Sequence, residues 1–188
     1  MYTIYADNEL LYSPNIQDKK HYVLDPKLTV ELNKAGSLEF RLPPGNVGYS
    51  SIQKLKSVVK VYCDEQEMWR GRVLSSDTDF YRRKELYCEG ELSYLLDSKV
   101  RPYQHSGGVS DYFSYMINQH NNQVDEFKKF TVGNITVTDK DNNDYIVRAN
   151  KNYPDTFSEI EDKLLNNLGG YLKVRQDGDN RCIDYLVE

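Results

Sequence analysis

Apolar and polar residues alternate over short runs in the first half of the chain, as they do in half-buried strands. The clearest pair is LTVEL at 28–32 and LEFRL at 38–42, joined by NKAGS. We predict a strand over 27–33, with Gly36 supplying the positive φ that a short connection needs. A single kinked strand is the alternative that the sequence leaves open. In either arrangement Leu38, Phe40 and Leu42 are predicted core residues.

More strand-like runs surround this pair. The chain turns at 6–8, SVVKVYC at 57–63 is strongly β-branched, and EMWRGRVLS at 67–75 contains Gly71, which predicts a bulge. SSIQKL suggests one helical turn, and a loop over 76–79 precedes FYRRKELYCEG. This spacing of short strands and turns predicts a small β-barrel or sandwich.

The pattern changes near residue 100, where Asp97–Lys99 and Arg101-Pro102 suggest a domain boundary. A helical period follows, and Ser110 is placed to cap it. Its predicted buried face is Val109, Tyr112, Phe113, Met116, Ile117 and His120.

The clearest helical pattern begins at Thr156 and ends at Gly169-Gly170. Thr156 forms a predicted capping box with Glu159. Its apolar stripe comprises Phe157, Ile160, Leu164 and Leu168. FTVGNITVT and YIVRA predict one hairpin, and YLKVR and CIDYLVE predict another. The fold class is therefore α+β and β-rich, with a barrel-like domain over 1–100 and an α+β domain over 101–188.

Composition narrows the classes of function. The 188 residues carry a net charge of −5, which argues against a protein that grips nucleic acid. No apolar run could span a membrane, and the N-terminus lacks signal-peptide features. The 16 tyrosines suit sheet surfaces and protein interfaces, although β-rich proteins commonly carry them on their strands.

Candidate chemistry is sparse. DKDNND at 139–144 resembles the start of a calcium loop, but it lacks the glycine and the bidentate glutamate, so a solvated turn is favoured. The three cysteines and three histidines form no metal-ligand motif. The acidic pairs Glu65/Glu67 and Glu89/Glu91 fit a solvated strand face better than a glycosidase site. We therefore predict no enzyme, and no catalytic, cofactor-binding or metal-binding residue.

Four stretches together resemble a known family. DPKLTVELNKAGSLEFRLPPGN, KLKSVVKVYCDEQEMWRGRV, CEGELSYLLDSKVRPY and KLLNNLGGYLKVR occur in the order found in the N-terminal region of phage minor structural proteins. This is the tail-associated or tail-hub family of phages and prophages of Gram-positive bacteria. The resemblance runs from Tyr2 to Glu188.

The resemblance implies a fold similar to the baseplate hub of contractile-tail phages. It implies a homotrimer in the virion tail, assembled in the bacterial cytoplasm. Its partners would be the distal tail protein, the tail tube and the tape measure, without sequence-specific nucleic-acid binding or membrane insertion. Family members usually continue further, so we expect a fragment or a short form of a longer protein.

Two other functions remain open from the sequence. One is a tail-associated peptidoglycan hydrolase or endopeptidase, with catalytic groups gathered from scattered residues. The other is a carbohydrate-binding module that uses exposed tyrosines and Trp69. Tyrosine rings along an open groove would favour sugar binding, and a flat tyrosine-lined edge would favour assembly.

Overall fold

A computed structural model of the protein describes residues 1–187, which group into two compact units, Met1–Glu91 and a second unit from Leu92 onward. The assignment of functional domains to 1–100 and 101–188 stays a prediction. The β-rich character is confirmed. None of the helices within residues 1–187 has the length and apolar character needed to cross a bilayer.

The N-terminal unit is one antiparallel sheet that curls into a half-barrel. Its seven strands lie in the order β2-β1-β5-β6-β7-β4-β3, so β2 and β3 are the edges. The strands are β1 (Tyr2–Ala6), β2 (Glu9–Tyr12), β3 (Leu24–Thr29), β4 (Ser37–Leu42), β5 (Val58–Cys63), β6 (Gln66–Thr78) and β7 (Lys84–Gly90).

The hairpin of β3 and β4 settles the alternative that the sequence left open. The strands pair antiparallel with Leu28 opposite Leu38, and Gly36 has φ +68°. Leu38, Phe40 and Leu42 are buried as predicted, which contributes roughly 1.5–3 kcal/mol for each side chain. The predicted bounds 27–33 are shifted along the chain, because β3 already begins at Leu24. It ends at Thr29, and Val30 and Leu32 are 62% and 59% exposed.

The predicted bulge at Gly71 is wrong. Gly71 pairs regularly with Gly90, and the register shifts lie on either side of it, between Trp69 and Glu67 and between Val73 and Ser75. A Cβ at Gly71 or Gly90 would collide with the Trp69 side chain or nearby backbone. Gly71 therefore makes room for the ring of Trp69, and Gly90 makes room for the Ala35 backbone. Trp69 is 7% exposed and donates from Nε1 to the Ala35 carbonyl at 3.3 Å.

Two predicted local structures in this unit are displaced. The helical turn is a 3₁₀ helix at Val47–Tyr49, rather than SSIQKL, because the Asn46 side chain accepts from the Gly48 N–H at 2.9 Å. The predicted loop over 76–79 is mostly strand, since β6 runs to Thr78. The turn comes next, where Asp79 accepts from the Arg83 N–H at 2.9 Å.

The C-terminal unit combines helices with two small sheets. β11 (Tyr171–Asp177) and β12 (Asn180–Leu186) form the predicted hairpin, and β9 (Thr131–Ile135) adds to β12 in parallel. β8 (Tyr103–Gly107) and β10 (Ile146–Asn150) pair antiparallel. The helical elements are α1 (Val109–Asn121), α2 (Thr156–Ile160), a π-helical segment (Glu161–Leu165), α3 (Asn166–Leu168) and 3₁₀ helices at Glu91–Asp97, Glu126–Lys128 and Lys140–Asn142.

The predicted hairpin between FTVGNITVT and YIVRA does not form, because each strand pairs elsewhere. β9 lies beside β12, where Asp184 accepts from the Asn134 N–H at 2.7 Å and Gly133 leaves space for the carboxylate. β10 pairs with β8, which lies directly after the predicted boundary at 97–102. Both segments contain strands, as predicted, but tertiary contacts set their pairing partners.

Both predicted helix caps are also wrong. Asp155, not Thr156, caps α2, accepting from the Ser158 N–H at 2.8 Å. α1 begins after Gly108, whose N–H donates to Asp111 at 3.3 Å, and Ser110 is not the cap. The predicted apolar face of α1 is entirely buried.

The apolar stripe of the second helical region is confirmed in its centre only. Ile160 and Leu164 are buried, whereas Phe157 and Leu168 are half-buried. Gly169 and Gly170 have φ +72° and +80° and end the helix as predicted.

Candidate functional surface

The one serine–histidine contact found among the described residues lies in the interior. Ser98 Oγ is 2.7 Å from His120 Nδ1 and 2.7 Å from Thr156 Oγ1. His120 Nε2 is 3.1 Å from the Lys128 carbonyl, which can only accept, so Nε2 carries the proton and Nδ1 accepts from Ser98. Burial lowers the pKa of His120 and keeps the ring neutral.

This arrangement does not support hydrolysis. Ser98, His120 and Thr156 are all buried, so the serine oxygen cannot reach a polymeric substrate. A backbone carbonyl occupies the position where a triad would place a carboxylate. These hydrogen bonds connect the segment at Ser98 to α1 and α2, so they stabilise the packing of the C-terminal unit.

A second buried polar cluster also serves packing. The Tyr103 hydroxyl is 2.5 Å from both Glu159 Oε1 and the Tyr112 hydroxyl, and Asn150 donates to Glu159 Oε2 at 2.5 Å. Burial, reinforced by the hydrogen bond to Glu159, raises the pKa of Tyr103, and burial raises the pKa of Tyr112. Both hydroxyls therefore stay protonated and tie α2 to β8, β10 and α1.

The stretch that resembles a calcium loop is a self-bonded turn. Asn142 Nδ2 donates to Asp139 Oδ2 at 2.9 Å, and the Asp139 N–H donates to Asp144 Oδ1 at 3.2 Å. Asn143 and Asp144 both have positive φ. In residues 1–187, no three histidine, cysteine or acidic side chains lie close enough together to hold a metal ion.

The cysteines lack the character of nucleophiles. All three are free; Cys88 and Cys182 are buried, and Cys63 is half-buried. Burial raises the pKa of the Cys88 thiol to about 12, so it stays protonated.

Of the two acidic pairs suggested by the sequence, Glu67 and Glu89 hold structural contacts, Glu91 is buried, and Glu65 is exposed. Glu67 accepts from Arg70 at 2.6 Å and from the Tyr62 hydroxyl at 3.1 Å. Glu89 pairs with Arg72 at 3.2 Å, and Glu91 is buried. Neither pair presents two carboxylates across an open cleft, which a glycosidase requires.

A groove of about 780 Å³ lies over β1 and β5 and contains the tyrosines that a sugar-binding module would need. Tyr5 and Tyr62 meet edge to face, with ring centroids 5.6 Å apart and planes at 80°. Rings so inclined do not form one flat platform for a sugar. Trp69, the other aromatic residue in that hypothesis, is buried.

The outer face of β3, β4, β6 and β7 carries a cluster of acidic side chains. A depression of about 340 Å³ lies there, lined in part by Tyr87. Four carboxylates line it, those of Asp25, Glu39, Asp77 and Glu85, together with the single guanidinium of Arg41. We call this surface the acidic depression.

Within the acidic depression the charges are only partly neutralised. Arg41 forms ion pairs with Asp25 and, at 4.0 Å, with Glu85. Glu39 and Asp77 are exposed and form no ion pair within residues 1–187. Sequence reasoning missed this surface because its members come from four strands, and only the pairing of Glu39 with Tyr87 and of Asp77 with Glu85 brings them together.

Comparison with known proteins places the fold. The chain matches a prophage tail protein, gp18, from Listeria monocytogenes at 17% identity and TM-score 0.55, covering 97% of this chain and 50% of that one. It matches a tail protein from Neisseria meningitidis at 13% identity and TM-score 0.62, covering 97% and 50%. A chain of the Francisella PdpA–VgrG complex matches at 15% identity and TM-score 0.52, covering 100% and 28%.

These likenesses establish a shared fold. The chain spans about half the length of the solved tail proteins it resembles. Its sequence matches no protein-family model and no curated protein. The resemblance read from the sequence is therefore supported at the level of a phage-tail fold, while the Gram-positive host and the hub family stay predictions.

Proposed function

We propose that this chain is a structural component of a phage or prophage tail, forming the hub or tail tip beneath the tail tube. The observation that carries the proposal is the fold, which matches prophage tail proteins over 97% of the chain. The half-barrel supplies a broad strand surface for contacts with other subunits. Its partners would be the distal tail protein, the tail tube and the tape measure.

The chemistry of the chain is consistent with a role without catalysis. The serine–histidine contact is buried, Glu67 and Glu89 are bonded internally, and Cys88 is protonated. A tail-associated wall hydrolase would need a nucleophile or a metal that a polymer can reach. Such a module would belong to another part of a longer protein.

We further propose that the full-length protein is a homotrimer with a net acidic lumen, and that the present chain associates only weakly by itself. The net charge of −5 suits a passage through which DNA slides without binding. Because this chain spans about half of the solved tail proteins, the remaining half would supply further ring contacts.

Immunogold labelling tests the location. An antibody against this chain should decorate the tail tip of particles purified after induction, and particles lacking the gene should be unlabelled. Labelling of the capsid, or particles that assemble complete and infectious without the gene, would contradict the proposal. Light scattering on the full-length protein tests the ring, since a monomer at high concentration would contradict the hub.

A further inference from the structure

The tip of the β6–β7 hairpin presents aromatic side chains to solvent on an ordered turn. Phe80 is 94% exposed and Tyr81 is 70% exposed, and their rings meet edge to face at 5.5 Å. Exposed aromatic residues of this kind are enriched at the centres of protein interfaces. We call residues 79–83 the aromatic tip.

The aromatic tip is held in place before any partner binds. Two backbone hydrogen bonds close the turn. The Arg82 N–H donates to the Asp79 carbonyl at 3.0 Å, and the Asp79 N–H donates to the Arg83 carbonyl at 3.0 Å. Arg83 Nε donates to Asp79 Oδ2 at 2.6 Å, and the Tyr49 hydroxyl donates to the Arg82 carbonyl at 2.6 Å. A preorganised tip loses little entropy on docking.

The tip is also cationic. Arg82 is exposed and forms no ion pair within residues 1–187, while Arg83 stacks over Tyr81 at 5.0 Å and Lys84 over Tyr49 at 4.9 Å. Asp79 is the one acidic residue of 79–84. The tip therefore needs a partner that offers an apolar floor and negative charge.

The acidic depression of the same fold has these properties. It holds four carboxylates against one guanidinium, and Tyr87, 38% exposed, is among its lining residues. Its volume of about 340 Å³ lies in the range of pockets that hold small molecules, roughly 300–1,000 Å³, so it can receive aromatic side chains. The groove over β1 and β5 fits less well, because its Asp64 is paired with the Met1 ammonium and Asp7 accepts from the Val58 N–H.

We propose that the aromatic tip of one copy of this chain docks in the acidic depression of a second copy. A tip cannot reach the depression of its own copy, because both lie on the same β6–β7 hairpin and the tip is fixed by Asp79 and Tyr49. Each copy carries one tip and one depression, so the contact can repeat head to tail around a closed ring. The number of copies in that ring depends on the proposed function, whereas the contact between two copies does not.

Photocrosslinking at the tip tests the contact even when association is weak. With p-benzoylphenylalanine in place of Phe80 in the 188-residue chain, we expect intermolecular crosslinks to peptides containing residues 39–41 or 75–87. The matched control carries the same crosslinker in place of Tyr2, which is also exposed, and should not label those peptides. Crosslinks to other surfaces, or none at the highest soluble concentration, would overturn the proposal.

Charge reversal gives an independent readout. Glu39→Lys with Asp77→Lys should lower the yield of the Phe80-site crosslink by about tenfold. Glu65→Lys, a reversal in the other groove, should leave it unchanged. A mixture in which one partner carries Arg82→Glu and the crosslinker, and the other carries Glu39→Lys and Asp77→Lys, should recover the yield. An unchanged yield in the double reversal would contradict docking at this surface.

The outcomes separate this inference from the proposed function. A full-length trimer whose tip crosslinks elsewhere would overturn the docking alone, whereas crosslinks at the depression in a protein absent from tails would overturn the tail role alone. Cosedimentation with anionic phospholipid vesicles, lost in Phe80→Ser, would assign the tip to lipid and overturn the docking.

Discussion

Asn46 donates a hydrogen bond of 2.9 Å from its side-chain amide to the carbonyl oxygen of Leu11, in the edge strand β2. The same amide donates at 2.9 Å to the carbonyl of Tyr22, two residues before the opposite edge strand β3. One buried side chain therefore connects both ends of the half-barrel. Unpaired strand edges are sites of unwanted association, and this connection limits their exposure.

Replacing Asn46 should destabilise the N-terminal unit. Asn46→Ala leaves the buried Leu11 carbonyl and the part-buried Tyr22 carbonyl without this donor, and an unsatisfied buried group costs about 1–3 kcal/mol. We expect a lower denaturant midpoint and a stronger tendency to aggregate, measured by urea unfolding and light scattering. Asn8→Ala, at an exposed turn position, is the matched control. Equal stability of both variants would show that the connection contributes little.

Truncating the centre of the helical stripe should destabilise the C-terminal unit. Leu164 is fully buried, so Leu164→Ala should cost about 2–5 kcal/mol through lost burial and a cavity. Phe157→Ala should cost less, because Phe157 is only half-buried. Thermal unfolding followed by circular dichroism measures which variant loses more stability, with Asn166→Ala as the exposed control. A larger effect at Phe157 than at Leu164 would contradict the packing described.

Stability should fall as the pH is lowered below about 6.5 because of His120. Burial lowers its pKa in the folded state, so the unfolded chain binds the proton at a higher pH than the folded chain does. Between the lowered folded pKa and 6.5 the unfolded state holds more protons, and stability declines with falling pH by at most about 1.4 kcal/mol per pH unit.

The groups around His120 also affect its pKa. The hydrogen bond to the Lys128 carbonyl and the charge of Asp97 oppose the lowering of its pKa, whereas the charges of Lys128 and Arg181 reinforce it. Urea unfolding between pH 5 and 7.5 measures the slope, and His120→Gln should flatten it. His21→Gln, beside Asp18, should keep it. A slope that survives in His120→Gln would assign the acid sensitivity to other groups.

Purified protein should not cleave peptidoglycan. Its serine–histidine contact is buried, and its cysteines and acidic pairs lack catalytic settings. Dye release from labelled cell walls, calibrated with a known wall hydrolase, should stay at background with or without added divalent metal. Hydrolysis lost on substitution of one serine, cysteine, histidine or acidic residue would overturn the structural role.

The sequence by itself determined the local structure wherever a short-range pattern is compatible with only one backbone conformation. The alternation LEFRL placed Leu38, Phe40 and Leu42 in the core, the helical period of α1 predicted its whole buried face, and Gly169-Gly170 ended the helix. Each of these follows from the period of the backbone or from the φ that glycine allows.

Tertiary structure decided which strand pairs with which, and therefore which charges meet. β9 joined β12 instead of β10 because Asp184 holds it there, and Gly71 serves the Trp69 ring instead of a bulge. The acidic depression depends on β6, β7 and β4 lying side by side, so residues as distant as Glu39 and Asp77 share one surface. Pairing energies depend on contacts between distant residues, which no local pattern in the chain encodes.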